Sequence, residues 1–205
     1  MRFDIVLERL QAAFAQPLPG ASAHALMAPR PRREWPAEFN PARVRHAAGL
    51  LLVFPVEGDA HIVLTVRADT LGRHGGQVSL PGGAAEPGET YEQAALREAH
   101  EEVALAPETV RVLGALTPVD IPVSGFRLHP IVGAADRRQT LAPSDGEVAR
   151  ILEVRIAELC EPGRMVSMTL SRDGRDVVAP AFRVADVEIW GATAMVVAEL
   201  LVVLG

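Results

Sequence analysis

Apolar positions recur at helical spacing at the start of the chain. Phe3, Ile5, Val6, Leu7, Leu10 and Phe14 predict a short amphipathic helix over residues 3–15. The pattern then breaks. Residues 17–41 hold six prolines and the run PRPRREWP, which reads as an extended connection without regular structure. From Ala47 the apolar runs become short and dense. AAGLLLVFPV and HIVLTVRA flank the turn-forming Glu57-Gly58-Asp59 and predict a hairpin of buried strands. A glycine-rich stretch, LGRHGGQVSLPGG, precedes ETYEQAALREAHEEV, which has helix formers, no internal Gly or Pro, and ends before Pro107. VRVLGALTPV, RLHPIVGA and EVARILEVRI read as strands, and MVSMTL and VVAPAFRV as a second hairpin around Asp173-Gly174. A helix from about Ala192 to Leu204 closes the chain. Many strands interrupted by one early helix and closed by another predict an α/β protein, a mixed sheet with helices on its faces.

Composition narrows the chemistry. The 205 residues are 49% hydrophobic, enough for a full core. All 20 basic residues are arginine. Without lysine there is no Schiff-base chemistry, no lysine nucleophile and no P-loop lysine, and every cationic ligand group is a planar guanidinium. The net charge of −6 speaks against a binder of nucleic acid that works by phosphate neutralisation. Cys160 is the single cysteine, which excludes an internal disulfide and a multi-cysteine zinc site, and its apolar surroundings place it in the core. The N-terminus carries Asp4 and Glu8 and is no signal peptide; Glu199 interrupts a C-terminal apolar run too short to span a bilayer. A cytoplasmic protein with no membrane partner is the expectation.

The informative segment runs from Gly82 to Leu105, GGAAEPGETYEQAALREAHEEVAL. Glu98, Glu101 and Glu102 stand at i, i+3 and i+4, on one helical face. Three neighbouring carboxylates repel one another, and a hard divalent cation would turn that repulsion into coordination. The helix by itself is equally a solvated acidic face. The segment before it decides the matter: Pro81-Gly82-Gly83 allows close backbone approach, and Glu89 stands in the predicted first turn near the positive end of the dipole. Arg97, beside the glutamates, is placed to orient one of them by paired hydrogen bonds.

These residues resemble the Nudix box, G-x5-E-x7-R-E-U-x-E-E-x-G-U, of the Nudix hydrolases. Gly83, Glu89, Arg97, Glu98, Ala99, Glu101 and Glu102 occupy its positions, followed by Ala104 and Leu105. Ala99 is small for the apolar position. Ala104 replaces the closing glycine, which puts the geometry of the helix end in question. The resemblance implies the Nudix fold, an α/β/α sandwich with a mixed sheet, and hydrolysis of a nucleoside diphosphate linked to another group with Mg²⁺ or Mn²⁺ as cofactor. It implies Glu98 and Glu102 as direct metal ligands, Glu101 as a third ligand or an aid in deprotonating water, and the Gly83 carbonyl as a further donor. Glu147 is the candidate for a catalytic carboxylate outside the box, or else an exposed glutamate at a strand start.

The preceding stretch, LTVRADTLGRHGGQVSLPGG, is similar to the motif of the coenzyme A pyrophosphatase subfamily. Leu64, Thr65, Arg67, Ala68, Leu71, His74, Gly76, Gln77, Val78, Pro81, Gly82 and Gly83 fit it, while Gly72 replaces an arginine and Leu80 a phenylalanine. IWGATA, Ile189–Ala194, is similar to the same subfamily. The resemblance implies cleavage of coenzyme A, and of its thioesters or oxidised form, to 4′-phosphopantetheine and adenosine 3′,5′-bisphosphate. Arg67 is the first candidate for gripping phosphate, with Arg73, Gln77, Arg43 and Arg45 behind it. His74 is either a phosphate donor or a loop-positioning residue. Five arginines lie within residues 30–45, a set that either contacts the 3′-phosphate or forms a solvated extension or homodimer contact. Other outcomes are a Nudix hydrolase for ADP-ribose and a ligand-sensing domain without turnover. Residues 46–205 are expected to form the Nudix domain and residues 1–45 a helix with a Pro/Arg-rich extension.

Overall fold

A computed structural model describes residues 1–68, 76–144, 146–172 and 175–205, the side chains of Arg172 and Arg175 excepted. The first hairpin, β1 (Arg45–Val56) and β2 (Asp59–Arg67), pairs antiparallel as its apolar runs require. Glu57 and Gly58 both take positive φ, 52° and 86°, the turn geometry that follows the right-handed twist of a two-residue hairpin.

β1 is the spine of the main sheet. Besides β2 it pairs antiparallel with β4 (Gly82–Ala84) and parallel with β7 (Phe126–Ala134) over nine residue pairs, Arg45↔Phe126 to Val53↔Ala134. β3 (Val78–Ser79) and β8 (Val148–Arg155) join β2, while β5 (Arg111–Ala115) and β6 (Val119–Ile121) join β7. One parallel pair among antiparallel ones makes the sheet mixed. β9 (Met165–Arg172), β10 (Arg175–Val184) and β11 (Val187–Trp190) form a separate antiparallel sheet.

The run LLLVF in β1 is apolar without alternation because both faces of the strand are covered. Ala48, Leu50, Leu52 and Phe54 pack with Ala94, Ala95, Ala99 and Val103 of α3 (Tyr91–Val103). Leu51 and Val53, pointing the other way, share a core with α1 (Phe3–Phe14), α2 (Ala21–Met27) and α5 (Gly191–Leu204). The result is an α/β/α sandwich around a mixed sheet, as expected. Among the described residues no helix is long and apolar enough to cross a membrane.

Several elements differ from the expectation. α2 lies inside the proline-rich stretch. Its Ala23 and Met27 are buried, Met27 in the same core as α5, so tertiary burial overrides the flanking prolines. α4 (Ile156–Leu159) ends at Cys160, which is exposed rather than part of the core. β4 forms in Gly82–Ala84 because its edge pairs with β1, which no local propensity announces.

Candidate active site

α3 begins with a reciprocal cap. Thr90 Oγ1 accepts from the Gln93 amide at 3.2 Å while Gln93 Oε1 accepts from the Thr90 amide at 2.9 Å. It ends on Ala104, which takes the left-handed conformation (φ 55°, ψ 28°) that glycine would adopt without strain. The Ala104 amide donates to the His100 carbonyl and the Leu105 amide to that of Ala99, so the helix closes in the left-handed manner without its glycine.

Arg97 is the hub of the acidic face. Its Nε and Nη2 donate to the two oxygens of Glu89 at 3.0 and 3.1 Å. Nη1 donates to Glu98 at 2.9 Å and Glu101 at 3.0 Å, and Nη2 also reaches the Ala84 carbonyl of β4 at 3.1 Å. These hydrogen bonds hold the Glu89 carboxyl below the usual carboxylate range, and the same contact with Glu89 raises the pKa of Arg97 further. One guanidinium thus locks the loop before the helix, β4 and two box glutamates to each other.

Glu98 and Glu102 face the β4 edge. Glu102 is 6% exposed, and its Oε2 accepts from the Gly82 amide at 3.1 Å. A Cβ on Gly83 would lie 2.5 Å from Cδ and both oxygens of Glu98, so only glycine lets that carboxylate rest against the strand. A Cβ on Gly82 would lie 2.3 Å from the Ala48 carbonyl oxygen. Gly82 is required by its close approach to backbone, whereas a side chain at Gly83 would displace the Glu98 carboxylate. Among the described residues no three His, Cys, Asp or Glu side chains already converge on one point as a metal-holding group. The donor set nonetheless suits a hard cation. Its members are oxygens on adjacent turns of one helix with the glycine backbone at their side. Glu101, 52% exposed at its side chain, stands at the outer rim.

The segment carrying Glu147 runs along the end of α3. The Ala142 amide donates to the Val103 carbonyl, the Ser144 amide to that of Glu102, and the Ser144 hydroxyl to that of Glu101. Glu147 itself pairs with Arg67, Nη2 to Oε2, at 2.8 Å. A register shift between Val66 and Arg67 in the pairing of β2 with β8 sets the arginine at the end of its strand beside that carboxylate.

Arg67 and Gln77 also line a cleft of about 370 Å³, a volume in the range of small-molecule sites. Trp190, Gly191 and Thr193 at the start of α5 form another wall. The Thr193 hydroxyl donates to the Val78 carbonyl at 2.9 Å and ties that wall to β3. Arg43 and Arg45 do not line the cleft. The Arg45 guanidinium donates to the Ser124 carbonyl at 2.8 Å and lies 4.0 Å from the ring centre of Phe126. Arg73 and His74 lie outside the described residues.

Two groupings had no sequence signal. His46 Nδ1 lies 2.9 Å from His129 Nε2 and 3.1 Å from the Tyr91 hydroxyl, with Tyr91 stacked on His129 at 3.6 Å between centroids. Partial burial, then the neighbouring His46 and Arg127, push the His129 pKa down to about 4. The fully buried Glu199 of α5 accepts from His24 Nε2, the Gly20 and Thr117 amides and the Thr117 hydroxyl at 2.6–3.0 Å. Burial opposes its charge, but these donors outweigh the cost and lower its pKa. Both groupings join residues far apart in the chain.

The profile of the NUDIX domain family matches residues 44–169. A protein described as an uncharacterized Nudix hydrolase NudL from Klebsiella pneumoniae is 36% identical over 173 residues, which is 82% of this chain and 90% of that protein. A NudL of Cronobacter sakazakii, described in the same words, is 39% identical over 70% of this chain and 75% of its own. Among solved structures, the Nudix hydrolase RenU of M. smegmatis superposes with a TM-score of 0.50 at 31% identity, covering 58% of this chain and 78% of its own. A MutT/nudix family protein from Enterococcus faecalis shares the fold, with a TM-score of 0.52 at 17% identity over 82% of this chain and 63% of its own.

Proposed function

The chain belongs to the Nudix hydrolase family, and from that premise we propose that it hydrolyses the pyrophosphate bond of coenzyme A with Mg²⁺ or Mn²⁺ as cofactor. Water oxygen forms a new P–O bond to one phosphorus as the bridging P–O bond to it breaks; the other phosphate leaves with the bridging oxygen and the water's protons pass to solvent or phosphate, giving 4′-phosphopantetheine and adenosine 3′,5′-bisphosphate. The observation that carries the substrate is the cleft. Arg67, Gln77 and Val78 come from the segment before the box, and Trp190 to Thr193 from the start of α5. These are the two separate segments whose sequences resemble coenzyme A pyrophosphatases, and the fold lines one cleft with both.

Glu98, Glu102, Glu101 and the Gly83 carbonyl would hold the cation. When bound it supplies positive charge for the phosphoryl oxygens and a lowered pKa for the attacking water. The chain's own residues do the rest. Arg97 fixes the rotamers of Glu98 and Glu101, so that these carboxylates need little reorganisation. Arg67 grips a phosphoryl oxygen with a permanently charged donor. Glu147, within hydrogen-bond distance of Arg67, orients that guanidinium and is the carboxylate outside the box from which a proton acceptor is drawn.

The test is to incubate the protein with coenzyme A, dephospho-coenzyme A and ADP-ribose in Mg²⁺ or Mn²⁺ and to identify the products by mass. Formation of 4′-phosphopantetheine and adenosine 3′,5′-bisphosphate as the fastest reaction is expected. Equal or faster cleavage of ADP-ribose overturns the substrate assignment.

A further inference from the structure

The proline-rich arm does not hang free. His24 is held by Glu199; the Arg30 amide donates to the Val178 carbonyl at 2.7 Å and receives the Val178 amide in return at 3.0 Å. The Trp35 side chain lies close enough to the Asp120 carboxylate on β6 to help lower its pKa. These three anchors carry the backbone over one rim of the cleft, and Arg32 and Arg33, between the second and third, line it.

Charge matching then decides what the cleft takes. Among the described residues three guanidiniums line it: Arg32, Arg33 and Arg67. Arg67 is matched by Glu147. The one acidic residue among the described lining, Asp120, is already held by Arg127 through two hydrogen bonds, at 2.7 and 3.2 Å, and Arg32 adds only a weaker Coulombic attraction to it. Among the described residues Arg32 and Arg33 have no carboxylate within ion-pair distance. The walls below them are mainly apolar, including Val78, Ile121, Trp190 and Met195. Two exposed, surplus positive charges in the lining of a mainly apolar cleft, in a chain of net charge −6, fit a dianion attached to an uncharged ring system. A phosphate monoester carries a charge of about −1.5 to −2 near neutral pH, and guanidiniums match its oxygens pairwise. A diphosphate bridge, with one charge on each phosphorus, is met by Arg67 and the cation and does not call for a further pair.

We propose that Arg32 and Arg33 are specificity residues that recognise a phosphomonoester on the ribose of the substrate's nucleoside half, separately from the diphosphate that is cleaved. This rests on the coenzyme A reading and assigns the 3′-phosphate to the arm. Arg43 and Arg45, the other arginine pair of the arm, lie outside the cleft lining and take no part.

The experiment compares kcat/KM for coenzyme A and dephospho-coenzyme A in the wild type, in Arg32→Gln/Arg33→Gln and in Arg32→Lys/Arg33→Lys. The glutamine variant is expected to lower the preference for coenzyme A about tenfold or more, the scale of one lost charged hydrogen bond or greater, and the lysine variant to retain part of it. Arg138→Gln, which removes a surface pair with Glu153, keeps the wild-type ratio. A glutamine variant whose ratio stays within about twofold of wild type overturns the proposal. So does a wild type without preference, which would leave the coenzyme A reading standing. Failure of the wild type to cleave either compound sinks the coenzyme A reading instead. Calorimetric binding of adenosine 3′,5′-bisphosphate against adenosine 5′-monophosphate then decides the arm. A preference lost in the glutamine variant supports it, and equal wild-type affinities, or a preference the variant keeps, overturn it.

Discussion

Glu98 and Glu102 stand one turn apart, yet different partners hold them. Glu98 shares the Arg97 guanidinium and rests on Gly83, whereas Glu102 is buried against the Gly82 amide. Replacing either by glutamine keeps an oxygen that can accept those hydrogen bonds and removes the negative charge. Glu98→Gln and Glu102→Gln are therefore expected to lower kcat about 10²–10³-fold, with stability within about 1 kcal/mol of wild type. Steady-state rates and denaturant melts check both halves, and near-native activity in both variants would mean the metal is held elsewhere. His129 offers a second prediction. Its pKa is lowered from 6.5 to about 4, so the unfolded chain binds a proton over that interval and the native state refuses it. Stability owed to the neutral ring is thus full above pH 6.5 and declines as the pH falls toward 4. Proton NMR should show the His129 ring neutral at pH 5–6, and His129→Phe should flatten that part of the stability profile. The box glutamates and Arg97 were legible because they lie within a few residues on one helix. The ring cluster was not, since His46, Tyr91 and His129 meet only through the parallel pairing of β1 with β7 and the docking of α3.

At the level of elements, α3 combines two strong local signals with one violation. The helix itself was readable from its helix formers and the absence of internal Gly or Pro, and its acidic face from the glutamate spacing; the Thr90–Gln93 cap and the full burial of Ala94, Ala95 and Ala99 are findings of the structure. Small residues there let the helix sit close to β1 and bring the box near β4. Ala104 is the violation, a non-glycine residue in the left-handed region. Glycine there removes the Cβ strain but gives the unfolded chain more entropy to lose on folding, leaving a net gain of about 0.5–1 kcal/mol. Ala104→Gly is expected to raise Tm by about 1–4 °C with activity unchanged, measured by calorimetry. A lower Tm would show that the cap is not strained. The hairpin of β1 and β2 was legible for the same local reason, dense apolar runs around Glu57-Gly58. β4 and α2 were not: one is a glycine-rich edge and the other a short helix among prolines, and each owes its form to the surface it meets.

For the molecule as a whole, the buried Glu199 carboxylate joins three distant pieces. Gly20 and His24 come from the arm, Thr117 from the connection between β5 and β6, and Glu199 from the last helix. Its pKa is lowered in the folded state, so its stabilising contribution is present above the unfolded carboxylate value and lost as the pH falls through the lowered one. Glu199→Ala leaves several buried donors without an acceptor and is expected to cost about 3 kcal/mol, a denaturant-midpoint shift that equilibrium unfolding would reveal. A loss below about 0.5 kcal/mol would mean water replaces the carboxylate. In sequence this residue reads only as a polar interruption of an apolar helix. Its partners could not be read because no local pattern links position 24 to position 199.

That same carboxylate sets an order of events for a chain leaving the ribosome. His24 and Glu199 are 175 residues apart, and at about 5–20 residues per second the acceptor is synthesised roughly 9–35 s after its donor. Until then Val6, Leu10 and Met27 have no α5 to cover them, and the surface later sealed in the core is open to chaperones or to other nascent chains. Folding of this half of the sandwich therefore waits on the synthesis of α5, and a shortage of chaperone in that interval would be felt first as aggregation.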